Sequence, residues 1–200
     1  MEPPEKFSRP LGDRRYKKLF VLAVEGIKTE PLYFALFNSR DSVIRVQCLK
    51  DKSGSSPPQV LKRMEKHLKA GELKSTDEAW LVSDKDQWSD SQLSQLHQWS
   101  QKEENYGFAL SNPKFEYWLL LHFADGSGVT SAQDCDRRLK GYIPDYDKSL
   151  DTKKITVEMI NSAIERARQK DNPSCADWPR IFGATVYKLV ESILNSGNTT

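Results

Sequence analysis

From residue 18 to 24 the chain reads KLFVLAV, almost wholly apolar, and it stops abruptly at Glu25-Gly26. An uninterrupted apolar run of that length, bounded by turn residues, is the pattern of a strand buried on both faces. Thr29, Glu30 and Pro31 then supply an N-cap residue, an acid in the first turn and an early proline. Leu32, Phe34, Ala35, Leu36 and Phe37 give the short helix that follows an apolar face. Residues 43–49 alternate apolar and polar and predict a second strand, and the Ser/Pro-rich stretch 50–58 predicts a loop. Val60, Leu61, Met64 and Leu68 recur at helical spacing up to Gly71. A third strand is expected over 78–82, a helix through Leu93, Leu96 and Trp99, and a fourth short strand over 106–110. The order β-α-β-α-β-α-β predicts an α/β fold with a parallel four-stranded sheet of Rossmann-like kind, covered by helices.

After Asn112 the periodicity becomes helical over 115–123, 131–139, 156–170 and 181–194, with a polar loop from 142 to 153. The organisation expected is a basic leader over 1–16, an α/β core over 17–123 and a helical portion over 124–200 packed on that core. Composition changes this picture little. Apolar residues make up 38% of the 200, enough for a proper core, and 30 Lys+Arg against 28 Asp+Glu leave a net charge of +2. Bulk charge therefore neither demands nor excludes a polyanionic partner. The longest apolar stretch, 117–123, is interrupted by His122 and falls far short of the roughly 20 residues of a membrane helix. Acids and prolines in MEPPEKFSRP stand where a signal peptide would carry basic and then apolar residues. Cys48, Cys135 and Cys175 form neither a C-x-x-C pair nor a zinc set. A cytoplasmic, reducing setting is expected.

The chemistry concentrates at strand ends. In an open parallel sheet, ligands bind outside the carboxyl ends of the strands. Glu25 ends the first strand, Asp84 and Asp86 end the third, and Ser111 and Asn112 end the fourth. Alternation at a strand end sends Asp84 and Asp86 the same way and Lys85 elsewhere. Carboxylates crowded at about 4 Å repel by roughly 4 kcal/mol per pair at an effective dielectric of 20, so a positive charge must offset them. Mg²⁺ or Mn²⁺ suits such oxygen donors and leaves room for phosphate oxygens. The bland reading of the same residues is a solvated turn acid at Glu25 and a helix-capping Asp84, and pattern alone leaves both open.

Glu116 opens the helix after the fourth strand, either as a further ligand near the metal or as a first-turn acid. His122, six residues on, does not share its face and reads as a packed histidine. Ser111 and Asn112 could hold a phosphate or a water, or Asn112 could cap the helix, while Lys28 could meet a phosphate or simply be solvated. Residues 45–74 hold eight Lys/Arg, including Arg63 and Lys66, against three acids. That excess suits a nucleic-acid backbone or a solvated helix face.

VEGIKTEPLYF over 24–34, SDKDQW over 83–88 and above all SNPKFEYWLLLHF over 111–123 resemble the RloB family, which includes AbiLii-type proteins of bacterial defence loci and is itself similar to minimal Toprim domains. The resemblance runs from about Lys17 to Leu194. It implies a metal-dependent nuclease in which Glu25 is the acid/base or first ligand and Asp84 and Asp86 hold Mg²⁺, with Gly26 matching the Toprim glycine. It also implies DNA or RNA (tRNA among the RNAs) as substrate and a partner ATPase encoded nearby, and leaves self-association open. The rival expectation is a catalytically silent adaptor that keeps the Toprim shape. The family's C-terminal N-P-S and Thr-x-Val/Leu pieces are here 172–174 and 185–190, separated by an insertion over 175–184.

Overall fold

The computed structural model describes residues 18–38, 42–49, 54–71, 73–147 and 150–197; the expected leader over 1–16, Lys50 and Lys52 lie outside them. The elements follow in the order β1 (Lys18–Val24), α1 (Thr29–Ala35), β2 (Ile44–Cys48), α2 (Pro57–Ala70), β3 (Glu78–Asp84), α3 (Asp90–Ser100), β4 (Tyr106–Asn112), α4 (Phe115–Leu120) and α5 (Ala132–Tyr142). A 3-10 turn (Thr152–Lys154), α6 (Val157–Lys170), β5 (Gly183–Ala184) and α7 (Val186–Gly197) complete the chain. The strands lie side by side as β2-β1-β3-β4-β5, parallel except for β5.

Pleating sends alternate residues of each strand to opposite helical layers. Val21 and Ala23 of β1, Leu81 of β3 and Leu110 of β4 meet Val60 and Met64 of α2 and Leu93 and Leu96 of α3. Phe20, Leu22 and Val24 face the other way, into a larger cluster with Tyr33 and Phe34 of α1 and Trp118 of α4. Leu139, Ile160, Ala163, Leu189 and Val190, from α5, α6 and α7, belong to that same cluster. Trp118 is fully buried, and His122 packs edge-on to it with ring centroids 5.1 Å apart. The imidazole Nδ1 lies 3.0 Å from the Trp118 carbonyl and Nε2 lies 3.2 Å from the Tyr33 hydroxyl. Burial lowers its pKa to about 4, so it is a neutral packed histidine, as its apolar neighbours predict.

Three features differ from the sequence expectation. The sheet has five strands, because Gly183–Ala184 pairs antiparallel with Ser111 and Asn112 where helix was expected. Two residues are too few to show alternation, and Thr185 decides the matter by bonding to β4. Its backbone N–H donates to the Leu110 carbonyl at 2.8 Å and its Oγ1 accepts from the Leu110 N–H at 2.9 Å. Strands β3 and β4 each run two residues further than expected, because polar Ser83, Asp84, Ser111 and Asn112 continue the ladder into the crevice. Helix α4 is correspondingly short, and residues 121–124 continue as turns.

At the other edge, Asn38 acts as a one-residue strand: its Nδ2 donates to the Val46 carbonyl and its Oδ1 accepts from the Val46 N–H, both at 2.8 Å. Ser42 Oγ accepts from the Ile44 N–H at 3.2 Å. Among the described residues, no helix is long and apolar enough to cross a membrane.

Candidate functional site

Strand β2 lies on one side of β1 and β3 on the other, so the chain leaves β1 in opposite directions and opens a crevice at the carboxyl ends of β1 and β3. Glu25 continues β1 by donating its backbone N–H to the Val82 carbonyl at 3.1 Å. Its carboxylate is held by three donors: Ser83 Oγ at 2.7 Å and the Asp84 N–H at 3.1 Å on Oε2, and Trp88 Nε1 at 3.0 Å on Oε1. Burial raises its pKa, the three hydrogen bonds pull it back, and the charge of Asp86 adds to the rise.

Asp84 ends β3 on the opposite sheet face, with Val82, and meets a different set of groups. The backbone N–H of Phe115 donates to its carboxylate, yet its pKa stands well above the ordinary range, through burial first and then the charges of Glu30, Glu25 and Glu116. Glu30 is itself buried, at 5% exposure, and its Oε1 accepts from the Gly26 N–H at 2.8 Å. Burial, aided by Glu116 and Glu25, brings its pKa to about 7. Glu116, equally buried, accepts from the Tyr146 hydroxyl at 2.8 Å and lies 3.9 Å from Lys114 Nζ, which is bound more tightly to Asp136 at 2.7 Å.

Gly26 makes room for this arrangement. A Cβ there would stand 2.0 Å from Glu30 Oε2, so any other residue has to displace the Glu30 carboxylate from its bond to the Gly26 N–H. Gly26→Ala is expected to drive Glu30 out of its place and to destabilise the protein by about 1–3 kcal/mol, as overpacking does. Thermal unfolding of the purified variant checks this; an unchanged midpoint would show that Glu30 moves aside freely.

The expected pairing of Asp84 with Asp86 is not what the chain does. The strand ends at Asp84, and Asp86 adopts φ 29°, so the alternation rule stops applying between them. Asp86 donates its N–H to the Pro113 carbonyl at 2.8 Å, its side chain is exposed, and its charge acts on Glu25. Lys85 does point elsewhere, with Nζ 2.5 Å from the Trp88 carbonyl.

Ser111 is Cα-paired with Asp84 and completely buried, and its Oγ has no hydrogen-bond partner among the described residues. Asn112 does not cap α4; its Nδ2 donates to the Pro179 carbonyl at 3.0 Å, because the 179–184 segment packs on the strand end. Lys28 is exposed just before α1. Arg63 is buried, with Nη1 and Nη2 each donating at 2.7 Å to the carbonyls of Val24 and Gly54, so it ties α2 behind the crevice, whereas Lys66 stands in solvent. The two C-terminal pieces meet away from the crevice, around Asp171. Its carboxylate accepts from the Cys175 N–H at 2.8 Å, Tyr187 OH at 2.9 Å, and Ser174 Oγ and Lys188 Nζ at 3.1 Å. The insertion between these touching pieces is itself built into the fold, with Trp178 buried and Gly183–Ala184 paired to β4.

Sequence reasoning missed Glu30, Ser83, Trp88, Tyr146 and Lys114. Only Glu30 left a trace, as an acid four residues after a glycine that needs a reason to be one.

A hard divalent cation fits the donors in kind, since they are carboxylate oxygens of uncompensated charge beside an unsatisfied buried hydroxyl. They are not drawn into a closed ligand set: among the described residues, no three Asp, Glu, His or Cys side chains stand close enough to share one ion.

The sheet order and this crevice define a Rossmann-like α/β protein with an acidic site at its strand switch point. A family model for RloB-like proteins matches residues 20–193, and the chain belongs to that family. Comparison with curated proteins and with solved structures returned no match.

Proposed function

We propose that this RloB-like protein is a defence-related, Mg²⁺- or Mn²⁺-dependent nuclease with a Toprim-like centre. The observation that carries the reading is the coupling of Glu25, Glu30, Asp84 and Glu116 at the strand ends: burial first, and then the charges of their neighbours, hold the pKa values of Glu30 and Asp84 above the ordinary carboxyl range. Acids kept where they repel one another point to a cationic ligand. Asp84 and Glu25 would hold the ion, with Glu30, Glu116 and Asp86 as the neighbouring oxygen donors. The ion would supply an acidified water and charge neutralisation at a phosphodiester.

The chain's own part is orientation and proton handling. Ser83 and Trp88 fix both Glu25 oxygens. Tyr146 fixes Glu116. Glu30, with its pKa near 7, can hold or release a proton at neutral pH. Ser111 Oγ is free to donate to an oxygen brought beside Asp84. Lys28 and Lys66 are placed in solvent where a nucleic-acid backbone could meet them. Family resemblance extends the proposal to a cytoplasmic setting, DNA or RNA as substrate and a partner ATPase.

The absence of a closed three-ligand set among the described residues favours a second reading, a catalytically silent adaptor of an ATPase complex. Incubating the purified protein with single- and double-stranded DNA and RNA, in Mn²⁺ and in EDTA, separates the two. Cation-dependent cleavage is expected. No cleavage, together with no heat of Mn²⁺ binding at millimolar concentration by isothermal titration, would overturn the nuclease reading in favour of the adaptor.

A further inference from the structure

A cavity of about 520 Å³ opens at the far end of α4, between the loop after it and the last turn of α5. Its floor includes Leu120 and Ala124. One wall is Tyr142, about half exposed, whose ring stacks on Phe123 at 5.2 Å and 18°. That stack covers one face of the tyrosine and holds the ring in place, so a planar ligand can use the other face at little entropic cost.

The polar groups are arranged in the same spirit. Arg138 is immobilised, with Nη1 and Nη2 donating to the Ser127 and Gly128 carbonyls at 2.8 and 2.5 Å and Nε 3.1 Å from Asp134. Arg137 uses one nitrogen on Asp134, at 2.5 Å, while its side chain is 79% exposed, leaving the rest of its fork of donors directed outward. Asp125 lies at the rim with both oxygens accepting from Ser127.

Gly141 completes the cavity from within α5, where a glycine weakens the helix. The protein's own packing does not require it, since a Cβ there would meet no atom within 4 Å, and its φ is not in the left-handed region. Bare backbone at this point keeps the space open.

We propose that this cavity binds one nucleotide unit of a single-stranded nucleic acid, its base on Tyr142 and its phosphate on Arg137. Aromatic side chains stack any base, and arginine takes a phosphate through two parallel hydrogen bonds. Asp125 and Asp134 offset the two arginine charges, so a phosphate here is held by the hydrogen bonds of Arg137 rather than by net charge, and a di- or triphosphate is disfavoured. Helix α4 carries Glu116 at the crevice and Leu120 at the cavity, four residues or about 6 Å apart along its axis. The cavity thus lies one helical turn from the acids along α4. Its use as a substrate subsite rests on the nuclease reading, whereas recognition of the nucleotide does not.

The test is fluorescence anisotropy of the full chain with labelled 12-nucleotide single-stranded DNA and RNA, in EDTA so that no cleavage contributes. Gly141→Phe, which puts a ring into the lining of the cavity, together with Tyr142→Ala and Arg137→Gln, is expected to weaken binding about 10-fold or more. Gly141→Phe should leave the melting temperature unchanged or higher, so a loss there is not a folding defect. Wild-type binding by Gly141→Phe and Tyr142→Ala would overturn the proposal, as would an unmodified protein that binds neither oligonucleotide. A nucleoside monophosphate that competes as tightly as the 12-mer would overturn the strand and leave a free nucleotide as ligand. Loss of cleavage with binding intact, or the reverse, tells failure of the nuclease reading from failure of this one.

Discussion

Asp84→Asn is expected to abolish cation-dependent cleavage, by at least about 100-fold, while the protein melts at a higher temperature than the wild type at pH 7.5. The amide has the shape of the carboxylate and can still accept from the Phe115 N–H. What it removes is the charge at the centre of the cluster, where Glu30, Glu25 and Glu116 all act on Asp84. A cation loses the carboxylate on which the other three acids act, so its affinity and the cleavage rate fall together. The folded protein without a cation is at the same moment relieved of a buried acid whose pKa is raised, and with it of the cost of either protonating that acid or leaving it charged at pH 7.5. Opposite changes in activity and stability are the signature of a ligand site, and a merely structural aspartate would lower both. Wild-type cleavage by folded Asp84→Asn protein would end the metal reading of this crevice.

Stability without a cation is expected to fall as pH rises from about 5 to 7.5, and Glu30→Gln is expected to flatten that fall. Glu30 has its folded pKa near 7 against an ordinary 4.5, so between these values the folded state binds the proton that the unfolded chain releases. Its contribution is complete below about pH 4.5 and is lost as pH climbs through 7, by on the order of 3 kcal/mol. Raised pKa values at Asp84 and Glu25 act in the same direction. His122 works oppositely. With its pKa lowered from 6.5 to about 4, it stabilises above pH 6.5 and loses that contribution as pH falls toward 4. His122 thus offsets one of the three acids below pH 6.5 and none above it, so the fall is steepest between pH 6.5 and 7.5, and the difference between wild type and Glu30→Gln isolates the acid. Thermal melts in EDTA at pH 5, 6 and 7.5 measure this; parallel curves for the two proteins would show that Glu30 is not buried as a protonated acid. Mn²⁺ added at pH 7.5 should recover stability in the wild type by mass action.

The four long strands were legible because their apolar runs end in glycine, proline or acid, and the parallel order follows from helices lying between them. Strand β5 was not, since pairing of Gly183 and Ala184 depends on Thr185 finding Leu110, a contact 75 residues away in sequence. Glu25 and Asp84 were placed at the right edge by strand ends alone. The relation of Asp84 to Asp86 was misjudged, because a pleat rule was carried one residue past the end of its strand. Glu30 was overlooked because a first-turn acid is ordinarily solvated, and only the fold shows that the turn is driven into the crevice beneath Gly26. Arg63 shows the converse: one of several basic residues on a helix, it is held inside by two carbonyls.

Asn38 at one border of the sheet and Thr185 with β5 at the other bear on how copies of this chain can assemble. Main-chain groups that would otherwise template a foreign strand at Val46 and Leu110 are already satisfied from within. Growth of the sheet from one molecule into the next is blocked at these points, as is capture of an extended peptide by strand addition. At these two points an oligomer or partner complex has only side chains to read, so specificity there is written in side chains rather than in backbone.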